Sequence, residues 1–381
     1  MEKVAVKKCT KYKEEQLESR LQELLNLLGG IKRFVSTGQK VLLKVNLVVG
    51  KPPGSAVNTH PLLVKALTKI IKDAGGQVII GDSPGGLFST SNLKKAYRKS
   101  GLLDVARQTG AQLNYNTEQI KVDFARGKIA KKFAIGKFIS DADVIINLPK
   151  LKTHGLTKYT GAVKNLFGAI PGLLKAEYHL KMPDVDIFSS LLIDLALLIS
   201  PELSIMDGIL GMEGEGPSGG KPIKFGYLLA STSTFALDTA SINLMSIKPA
   251  TSVPLIKELK KREIISDISD IDFCGDELIP IDDLEIPVIE RSSNLIDRRL
   301  PRFLSDIAQY LLRPRPEFDP QKCTGCGDCA TNCPAGAIKL KNGRPEVELD
   351  KCIRCFCCQE LCQFQAINIK RPLLGKILFG L

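Results

Sequence analysis

The chain has no tryptophan and few other aromatic residues, and aromatics make up only 6% of its 381 residues. Proteins that hold single-stranded nucleic acid stack bases on aromatic side chains, so this scarcity argues against that class. No run approaches the roughly 18 apolar residues of a membrane span, so we expect no stable membrane insertion. The first residues, MEKVAVKKCTKYKEEQ, lack the apolar region of a secretory signal. These absences together predict a cytoplasmic protein in a reducing compartment.

Acidic residues are in the minority, since 53 Lys and Arg stand against 41 Asp and Glu and give a formal net charge of +12. A basic protein either meets an anionic partner or gains solubility from its charge. No block of roughly five or six like charges suggests a nucleic-acid-binding tail. We therefore expect an anionic small-molecule ligand and no nucleic acid.

Cysteine, by contrast, is abundant and unevenly placed. Cys9 and Cys274 stand alone, and the other nine of the eleven cysteines lie between Cys323 and Cys362. Within this segment the pattern C-x2-C-x2-C-x3-C occurs twice, and the second copy begins 29 residues after the first. Disulfide scaffolds belong to small secreted chains, and zinc sites rarely repeat such a run. The spacing therefore favours iron-sulfur clusters.

The same pattern predicts which cysteines act together. Three thiolates spaced in this way hold one cubane, and the fourth reaches across to the other cluster. We therefore predict two [4Fe–4S] clusters with crossed ligation, one held by Cys323, Cys326, Cys329 and Cys362 and the other by Cys352, Cys355, Cys358 and Cys333. Residues 317–371 resemble the bacterial two-cluster ferredoxin domain, which implies electron transfer and a redox partner protein. Two departures from that domain are Gln363, where proline is usual, and the extra thiol of Cys357.

The rest of the chain alternates strand-like and helix-like segments. The apolar run VLLKVNLVV at 41–49 is typical of a buried parallel strand. The other predicted strands are 77–82, 143–149, 203–208 and 225–231, and the predicted helices are 91–108, 186–200, 235–246 and one that begins at His60 with Thr59 as its cap. This order predicts an α/β fold with a mostly parallel sheet and helices on both faces. We place this body at 1–312, and a small C-terminal α+β ferredoxin-like iron-sulfur domain at 313–381.

Polar residues follow several of the predicted strands. Parallel sheets place their ligand sites outside the carboxyl ends of the strands, so these residues are expected to share one crevice. The most basic of these segments is Pro149–Gly172, which we interpret as a loop at that crevice. The GEGPSG stretch at 214–219 is interpreted as a flexible lid, because Pro217 within it argues against a dinucleotide-binding turn.

Six motifs occur in an order that resembles one known family. They are VNLV, GDSPGG, NLPKLKTH, TGAVKNLFGAIPG, DGILGMEGEGPSGG and ALD, and they are similar to the family called domain of unknown function 362. The resemblance implies an α/β body followed by a ferredoxin module, and it implies no particular reaction. The spacing of His154, Lys164 and His179 also resembles the nickel-pincer-nucleotide lactate racemases. That resemblance would make Lys164 the tether of a nucleotide cofactor and His179 a nickel-ligand candidate.

The candidate site residues of the body fall into two groups. The candidate catalytic residues are His154, Lys164 and Asp82, because imidazole and carboxylate groups transfer protons and a lysine attracts an anion. The candidate cofactor-binding residues are Lys150, Lys152, Gly161, Asn165 and Asp207. They would hold an additional, unidentified organic cofactor or ligand.

Three functional hypotheses are compatible with these patterns. In the first, the protein is an oxidoreductase that passes single electrons through its clusters to or from an anionic small molecule in the crevice. In the second, it is a non-catalytic electron carrier or cluster-handling protein, and the body is a docking module. In the third, it is an isomerase with a lysine-tethered nucleotide cofactor, for which the clusters would be superfluous.

Overall fold

The computed structural model describes residues 1–265, 267–287 and 314–372. The strands are β1 (Glu2–Lys8), β2 (Lys40–Val45), β3 (Gln77–Gly81), β4 (Gln112–Leu113), β5 (Gln119–Asp123), β6 (Lys132–Gly136), β7 (Val144–Leu148), β8 (Lys150–His154), β9 (Lys158–Thr160), β10 (Leu203–Glu213), β11 (Lys221–Ser231), β12 (Ile271–Gly275), β13 (Arg315–Phe318), β14 (Ile338–Lys341), β15 (Arg344–Val347) and β16 (Ile367–Lys370).

The helices lie between these strands. They are α1 (Glu14–Asn26), α2 (Pro61–Asp73), α3 (Thr90–Ser100), α4 (Leu102–Thr109), α5 (Lys137–Ser140), α6 (Ala162–Asn165), α7 (Leu174–Lys181), α8 (Val185–Ile199), α9 (Thr234–Leu244), α10 (Pro254–Lys261), α11 (Asp328–Thr331) and α12 (Cys357–Leu361). Short 3-10 turns lie at Ile31–Arg33, Pro53–Ser55, Leu166–Ala169, Ala250–Ser252 and Ile268–Asp270. No helix in these described ranges is long and apolar enough to cross a membrane.

One central sheet organises the body. Its strands run in the order β12-β1-β11-β10-β7-β2-β3-β4, and β8 and β9 extend it beside β10. The pairs β2–β3, β2–β7, β3–β4, β7–β10 and β8–β10 are parallel, whereas β11 is antiparallel to both of its neighbours. This sheet confirms the predicted α/β fold with mostly parallel strands.

Apolar side chains cover both faces of the sheet. Along β2, Leu42 belongs to one buried cluster while Val41 and Leu43 belong to the other, as the alternation of side chains in a strand requires. Helices α1 and α2 pack on the second face, and α8 and α9 pack on the first. Each fully buried leucine of this kind stabilises the fold by about 1.5–3 kcal/mol relative to an exposed one.

Two helix boundaries differ from the sequence predictions for physical reasons. The segment predicted as one helix at 91–108 is divided at Gly101, whose φ of 80° ends α3 before α4 begins. Helix α2 is capped by His60 rather than Thr59: the His60 side chain accepts a hydrogen bond from the Leu62 amide at 3.3 Å. The Thr59 hydroxyl is instead directed across the sheet and donates to the Leu148 carbonyl at 2.6 Å.

The prediction of a loop over Pro149–Gly172 was wrong. This segment holds β8, β9, α6 and a 3-10 turn, and β8 pairs with both β10 and β9. All five residues of β8 are buried although three of them are Lys150, Lys152 and His154. Its polar side chains have partners elsewhere in the fold, and these partners allow a basic strand to lie inside the protein.

Within residues 314–372, the C-terminal region contains two small antiparallel sheets and two short helices. Strand β13 pairs with β16, and β14 pairs with β15 around Asn342 and Gly343, both of which have positive φ. Helices α11 and α12 each lie within one of the cysteine motifs. The proposed domain boundary between residues 312 and 313 lies outside the described residues and stays a prediction.

Candidate functional site

A cavity lies at the carboxyl ends of β2 and β3, where the sheet meets the cysteine-rich tail. Its empty volume is about 780 Å³, including space open to solvent. The body contributes residues after β2 and β3, residues around α6 and part of α7, and the tail contributes Asn332, Cys357, Glu360 and Leu361. The cavity is therefore built from both predicted parts of the chain.

Two predicted site lysines line this cavity, and both have hydrogen-bonding capacity to spare. Lys152 projects from β8, is 1% exposed, and donates to Asn46 Oδ1 and to the Val57 carbonyl, both at 2.8 Å. Burial, followed by the charge of Lys164, lowers the pKa of Lys152 well below its usual value. Lys164 projects from α6 and is partly buried, and among the described residues its ammonium makes no hydrogen bond or ion pair.

Asp82 also lines the cavity, but its carboxylate is already engaged. Its Oδ1 lies 2.7 Å from the Lys44 ammonium, which is 0% exposed, and its Oδ2 accepts from the Leu47 amide at 2.7 Å. Lys44 completes its three bonds with the carbonyls of Val45 and Asn165. A Cβ at Gly168 would lie 2.1 Å from Asp82 Oδ1, so only glycine fits beside this pair. The catalytic role predicted for Asp82 is untested, and the contacts give it a structural one.

Lys175, on α7, is a cavity residue that the sequence prediction missed. Its ammonium donates to the Ser83 carbonyl, the Ser83 hydroxyl and the Ile170 carbonyl at 2.8, 3.0 and 2.9 Å. Burial lowers the pKa of Lys175 to about 7. Three acceptors match the three protons of an ammonium, and this geometry favours the charged form. No local signal marks this lysine, because it lies inside a helix rather than at a strand end.

His154 is buried and does not line the cavity, and its two ring nitrogens lie close to polar groups of the protein. Its Nδ1 accepts from the Leu156 amide at 3.0 Å, and its Nε2 lies 3.1 Å from Oε1 of Glu360, a wall residue on α12. Burial, followed by the charge of Lys164, lowers the pKa of His154 to about 4, so the imidazole is neutral. Burial alone would raise the pKa of Glu360, but Lys164 and His154 together lower it to about 2. A neutral histidine thus faces an ionised glutamate across the tail contact.

His179, on α7, is the histidine that faces the cavity. Its ring packs against Phe167 and Phe188, with centroids 5.8 and 4.4 Å away. The side chain is 5% exposed and makes no hydrogen bond to any part of the chain that the structure describes. Burial lowers its pKa to about 3. It is therefore a neutral imidazole with hydrogen-bonding capacity to spare.

Three other predicted cofactor-binding residues lie outside the cavity lining. Lys150 and Asp207 form a buried ion pair at 2.8 Å, and both bond to the Tyr12 hydroxyl. A Cβ at Gly161 would lie 1.9 Å from the Tyr159 hydroxyl, so this glycine serves internal packing. Asn165 does line the cavity, but its side-chain amide is bonded to Asn46, Lys44 and Asn147.

Asp238, in the ALD motif, supports α6 from below. Its carboxylate accepts from the amides of Ala162 and Val163 and from the Tyr159 hydroxyl at 2.7 Å. Burial raises the pKa of Asp238 to about 6 against the opposing effect of these donors. Through the first residues of α6, this aspartate fixes the position of Lys164.

Helix α12 docks onto the body through the turn between β10 and β11. The Ser218 hydroxyl donates to the Glu360 carbonyl at 2.9 Å, and the Gln359 amide donates to the Glu215 carbonyl at 2.8 Å. A Cβ at Gly85 of the GDSPGG motif would lie 1.9 Å from a methyl of Leu361. The GEGPSG segment, predicted as a lid, is thus a turn that contacts the tail.

The cysteines of the tail surround two further cavities. One is lined by Cys323, Cys326, Cys329 and Cys362, and the other by Cys333, Cys352, Cys355 and Cys358. Their empty volumes, including space open to solvent, are about 380 and 340 Å³. These groupings are those of the crossed arrangement, so the residues fit two cubanes.

No three His, Cys, Asp or Glu side chains in the described ranges are grouped closely enough to hold one metal ion. A single zinc ion needs thiolates about 2.3 Å from one point, whereas a cubane spreads its thiolates over four irons. The arrangement therefore fits a cluster better than zinc. Cys357 belongs to neither set: it is 7% exposed and lines the cavity at the sheet.

Comparison with known proteins gives the affiliation of this chain. The model of the family described as "Domain of unknown function (DUF362)" matches residues 41–243, and that of a 4Fe-4S binding domain matches residues 315–338. The chain belongs to the DUF362 family. Its tail contains a 4Fe-4S binding domain, which makes it an iron-sulfur protein.

One curated relative of this DUF362 protein is a thylakoid-associated protein from Synechocystis sp. The two are 36% identical over 255 residues, which cover 65% of this chain and 76% of the relative. Among solved structures, the lactate racemase apoprotein from Thermoanaerobacterium thermosaccharolyticum aligns with a TM-score of 0.37 and 16% identity, over 62% of this chain. The chain thus spans 56% of that racemase. A protein from Thermotoga maritima aligns with a TM-score of 0.33 and 16% identity, over 55% of this chain and 53% of that protein.

Proposed function

We propose that this DUF362 protein is an iron-sulfur oxidoreductase that holds an anionic small molecule in the cavity between its sheet and its tail. One observation carries the proposal. A single short helix, α12, contributes Cys358 to one predicted cluster site and Cys357, Glu360 and Leu361 to the cavity wall. Bound clusters would supply single electrons, and a ligand in this cavity would lie beside one of them.

The charges of the cavity support an anionic ligand. Lys152, Lys164 and Lys175 line it, against the carboxylates of Asp82 and Glu360. Asp82 is neutralised by Lys44 and therefore offers little repulsion. Excess positive charge within low-dielectric walls attracts anions.

The remaining side chains have separate tasks in the proposed site. Lys164 and Lys152 attract and orient the anion, and the apolar wall around Phe167 and Leu361 excludes water. His179 is a group that can form a hydrogen bond to the ligand, because its imidazole is neutral and has no competing partner in the described chain. His154 instead positions Glu360 and, with it, α12.

The test uses anaerobically reconstituted full-length protein, reduced with dithionite and freed of excess reductant. The low-molecular-weight fraction of a cell lysate is then added, and cluster reoxidation is followed by visible absorbance and electron paramagnetic resonance. We expect Lys164→Gln to slow reoxidation by about tenfold or more, as loss of a charged contact to an anion predicts. The control is Lys132→Gln, whose side chain is 59% exposed at the start of β6 and does not line the cavity, and it should behave as wild type.

The alternatives predict different results. Equal reoxidation rates in wild type and Lys164→Gln would favour a non-catalytic electron carrier that uses the body for docking. A covalent nucleotide on Lys164, detected by intact mass, would favour the isomerase, and the presence of both Lys164 and His179 in one cavity makes this measurement worthwhile. The proposal also includes an unidentified redox partner protein and a reducing cytoplasmic setting. It includes two clusters as well, and an iron assay tests this number, since two clusters contain about eight irons per chain.

A further inference from the structure

The chemical class of the anion can be inferred from the hydrogen-bond donors of the cavity wall that have no acceptor within the described protein. Phosphate groups are usually held by free backbone amides in glycine-rich turns or at helix ends. In the GDSPGG turn, the Ser83 amide donates to the Gly168 carbonyl and the Gly85 amide to the Val48 carbonyl, at 3.1 and 2.9 Å. On the opposite side, the Gly172 amide donates to the Ser83 hydroxyl at 2.9 Å. These three amides already have acceptors within the protein. In the GDSPGG turn the Gly86 amide also lines the cavity and has no acceptor in the described chain, but a single free amide does not make a phosphate cradle.

The start of α6 is closed to phosphate for a similar reason. The amides of Ala162 and Val163 both donate to the Asp238 carboxylate. A ligand phosphate would have to displace a buried carboxylate from this position. The anion must therefore be held by side chains.

Three cavity side chains retain hydrogen-bonding capacity. When charged, Lys152 has three protons and two acceptors, both neutral, and it is 1% exposed; burial lowers its pKa, and an anion beside it would favour the charged form. Lys164 has no acceptor and His179 has no partner within the described part of the chain. A buried ammonium without an anion is costly, and one carboxylate between two lysines would relieve that cost.

Of the other charged groups of the wall, Lys175 and Asp82 are engaged within the protein, whereas the Glu360 carboxylate is attracted by the charge of Lys164 and would compete with the ligand for it. The three protons of Lys175 are held by Ser83 and Ile170. Asp82 is paired with Lys44, and Glu360 faces His154. The site thus offers two cationic contacts, which suits one monoanionic group.

Much of the remaining wall is apolar. Leu47 and Val48 follow β2, Phe167 lies after α6, Leu173 precedes α7, and Leu361 comes from α12. A ligand that packs against this wall gains about 0.8 kcal/mol of binding free energy for each methylene that it buries. A two-carbon acid or an inorganic oxyanion would leave it uncovered.

We propose that the cavity binds an organic carboxylate whose carboxylate group lies between Lys152 and Lys164 and whose apolar body lies against Leu47, Phe167 and Leu361. This inference rests on the proposed function for the cavity as the ligand site. It adds that the ligand is neither a nucleotide nor a phosphorylated metabolite.

Isothermal titration calorimetry on oxidised, full-length holoprotein tests the inference without any redox turnover. The probes are benzoate, hexanoate, acetate and inorganic phosphate. We expect benzoate and hexanoate to bind at least about tenfold more tightly than acetate, since each buried methylene adds about 0.8 kcal/mol. Phosphate should bind more weakly than benzoate. Lys164→Gln should weaken benzoate binding about tenfold or more, and the control Lys132→Gln should leave it unchanged.

Lys152→Met tests the second contact and should weaken benzoate by a similar factor. If that variant does not fold, as judged by circular dichroism, Lys164→Gln decides the question, because the Lys164 ammonium has no partner to lose within the described residues. Phosphate binding as tight as benzoate, no measurable benzoate binding, or benzoate binding indifferent to Lys164→Gln would overturn the inference. Benzoate binding that depends on both lysines, together with no ligand-dependent reoxidation, would uphold the carboxylate site and reject the redox function.

Discussion

Replacing Asp82 with asparagine should destabilise the protein strongly, because it removes one half of a buried ion pair beneath the cavity. The Lys44 ammonium lies 2.7 Å from Asp82 Oδ1, and the two side chains are 0% and 4% exposed. The variant would keep an ammonium in the core with no carboxylate beside it. Breaking such a pair from one side costs about 3–5 kcal/mol. We expect a loss of that size in the free energy of unfolding.

The measurement is urea unfolding under argon, followed by far-ultraviolet circular dichroism. The matched control is Asp123→Asn, which breaks the Lys132–Asp123 pair at 3.1 Å, whose side chains are 59% and 80% exposed. Solvent screens that pair, so its loss should cost less than about 1 kcal/mol. Replacing Lys44 and Asp82 together with methionine and leucine should recover most of the stability, since no lone charge remains. An Asp82→Asn variant as stable as the control would refute the reasoning.

Three further predictions concern the histidine, the glycines and the extra cysteine. The pKa of His179 is lowered to about 3, so acidification protonates this residue first in the unfolded chain. Below pH 6.5 His179 should therefore cost about 1.4 kcal/mol of stability per pH unit. In unfolding curves recorded from pH 7 to 4, His179→Phe should remove that contribution and leave those of His60 and His154, whose pKa values are lowered to about 4. Gly168→Ala places a Cβ 2.1 Å from a buried carboxylate oxygen and should cost about 1–3 kcal/mol in thermal unfolding, whereas Gly54→Ala, with nothing within 4 Å, should be neutral. Cys357→Ala should retain about eight irons per chain in a colorimetric iron assay, whereas Cys358→Ala should lose about half of that iron. Equal iron loss in the two variants would contradict the ligand assignment.

The sequence predicts well those strands whose own residues are apolar enough to indicate burial. Strand β7 is buried along its whole length, and its five residues are mostly Val, Ile and Leu. The two cysteine motifs are also local, because three of the four ligands of a cubane lie at fixed short spacings, and the ligand groups that they imply stay a prediction. Both predictions needed no knowledge of distant residues.

Strand β8 could not be predicted in the same way, because its charged residues are compensated from far along the chain. Lys150 is paired with Asp207, 57 residues later, and Lys152 is bonded to Asn46, 106 residues earlier. The alternation of Lys150, Lys152 and His154 was a strand signal, but their charge argued against burial. Only the folded sheet shows that β8 is buried and that its charged side chains have partners there.

The sequence predicted a crevice at the carboxyl ends of the strands, but it predicted only some of the residues that line the cavity. Strand-end residues and Lys164 were expected there, and the structure brings Lys152, Lys164, Asp82 and Asn165 to its wall. Lys175 and Glu360 come from helices in distant parts of the sequence, and no spacing rule connects them. The contact between the tail and the sheet is a tertiary contact. Hydrophobic periodicity indicates secondary structure and does not show which elements pack together.

The five residues of α12 have a consequence for how proteins of this design can diversify. Cys358 belongs to a predicted cluster site, while Cys357, Glu360 and Leu361 face the cavity from the same turn of helix. A substitution that reshapes the ligand site from this side also disturbs the metal-binding segment. Under the proposed function, new ligand preferences would therefore be accessible mainly at α7, whose wall residues lie outside both cysteine motifs.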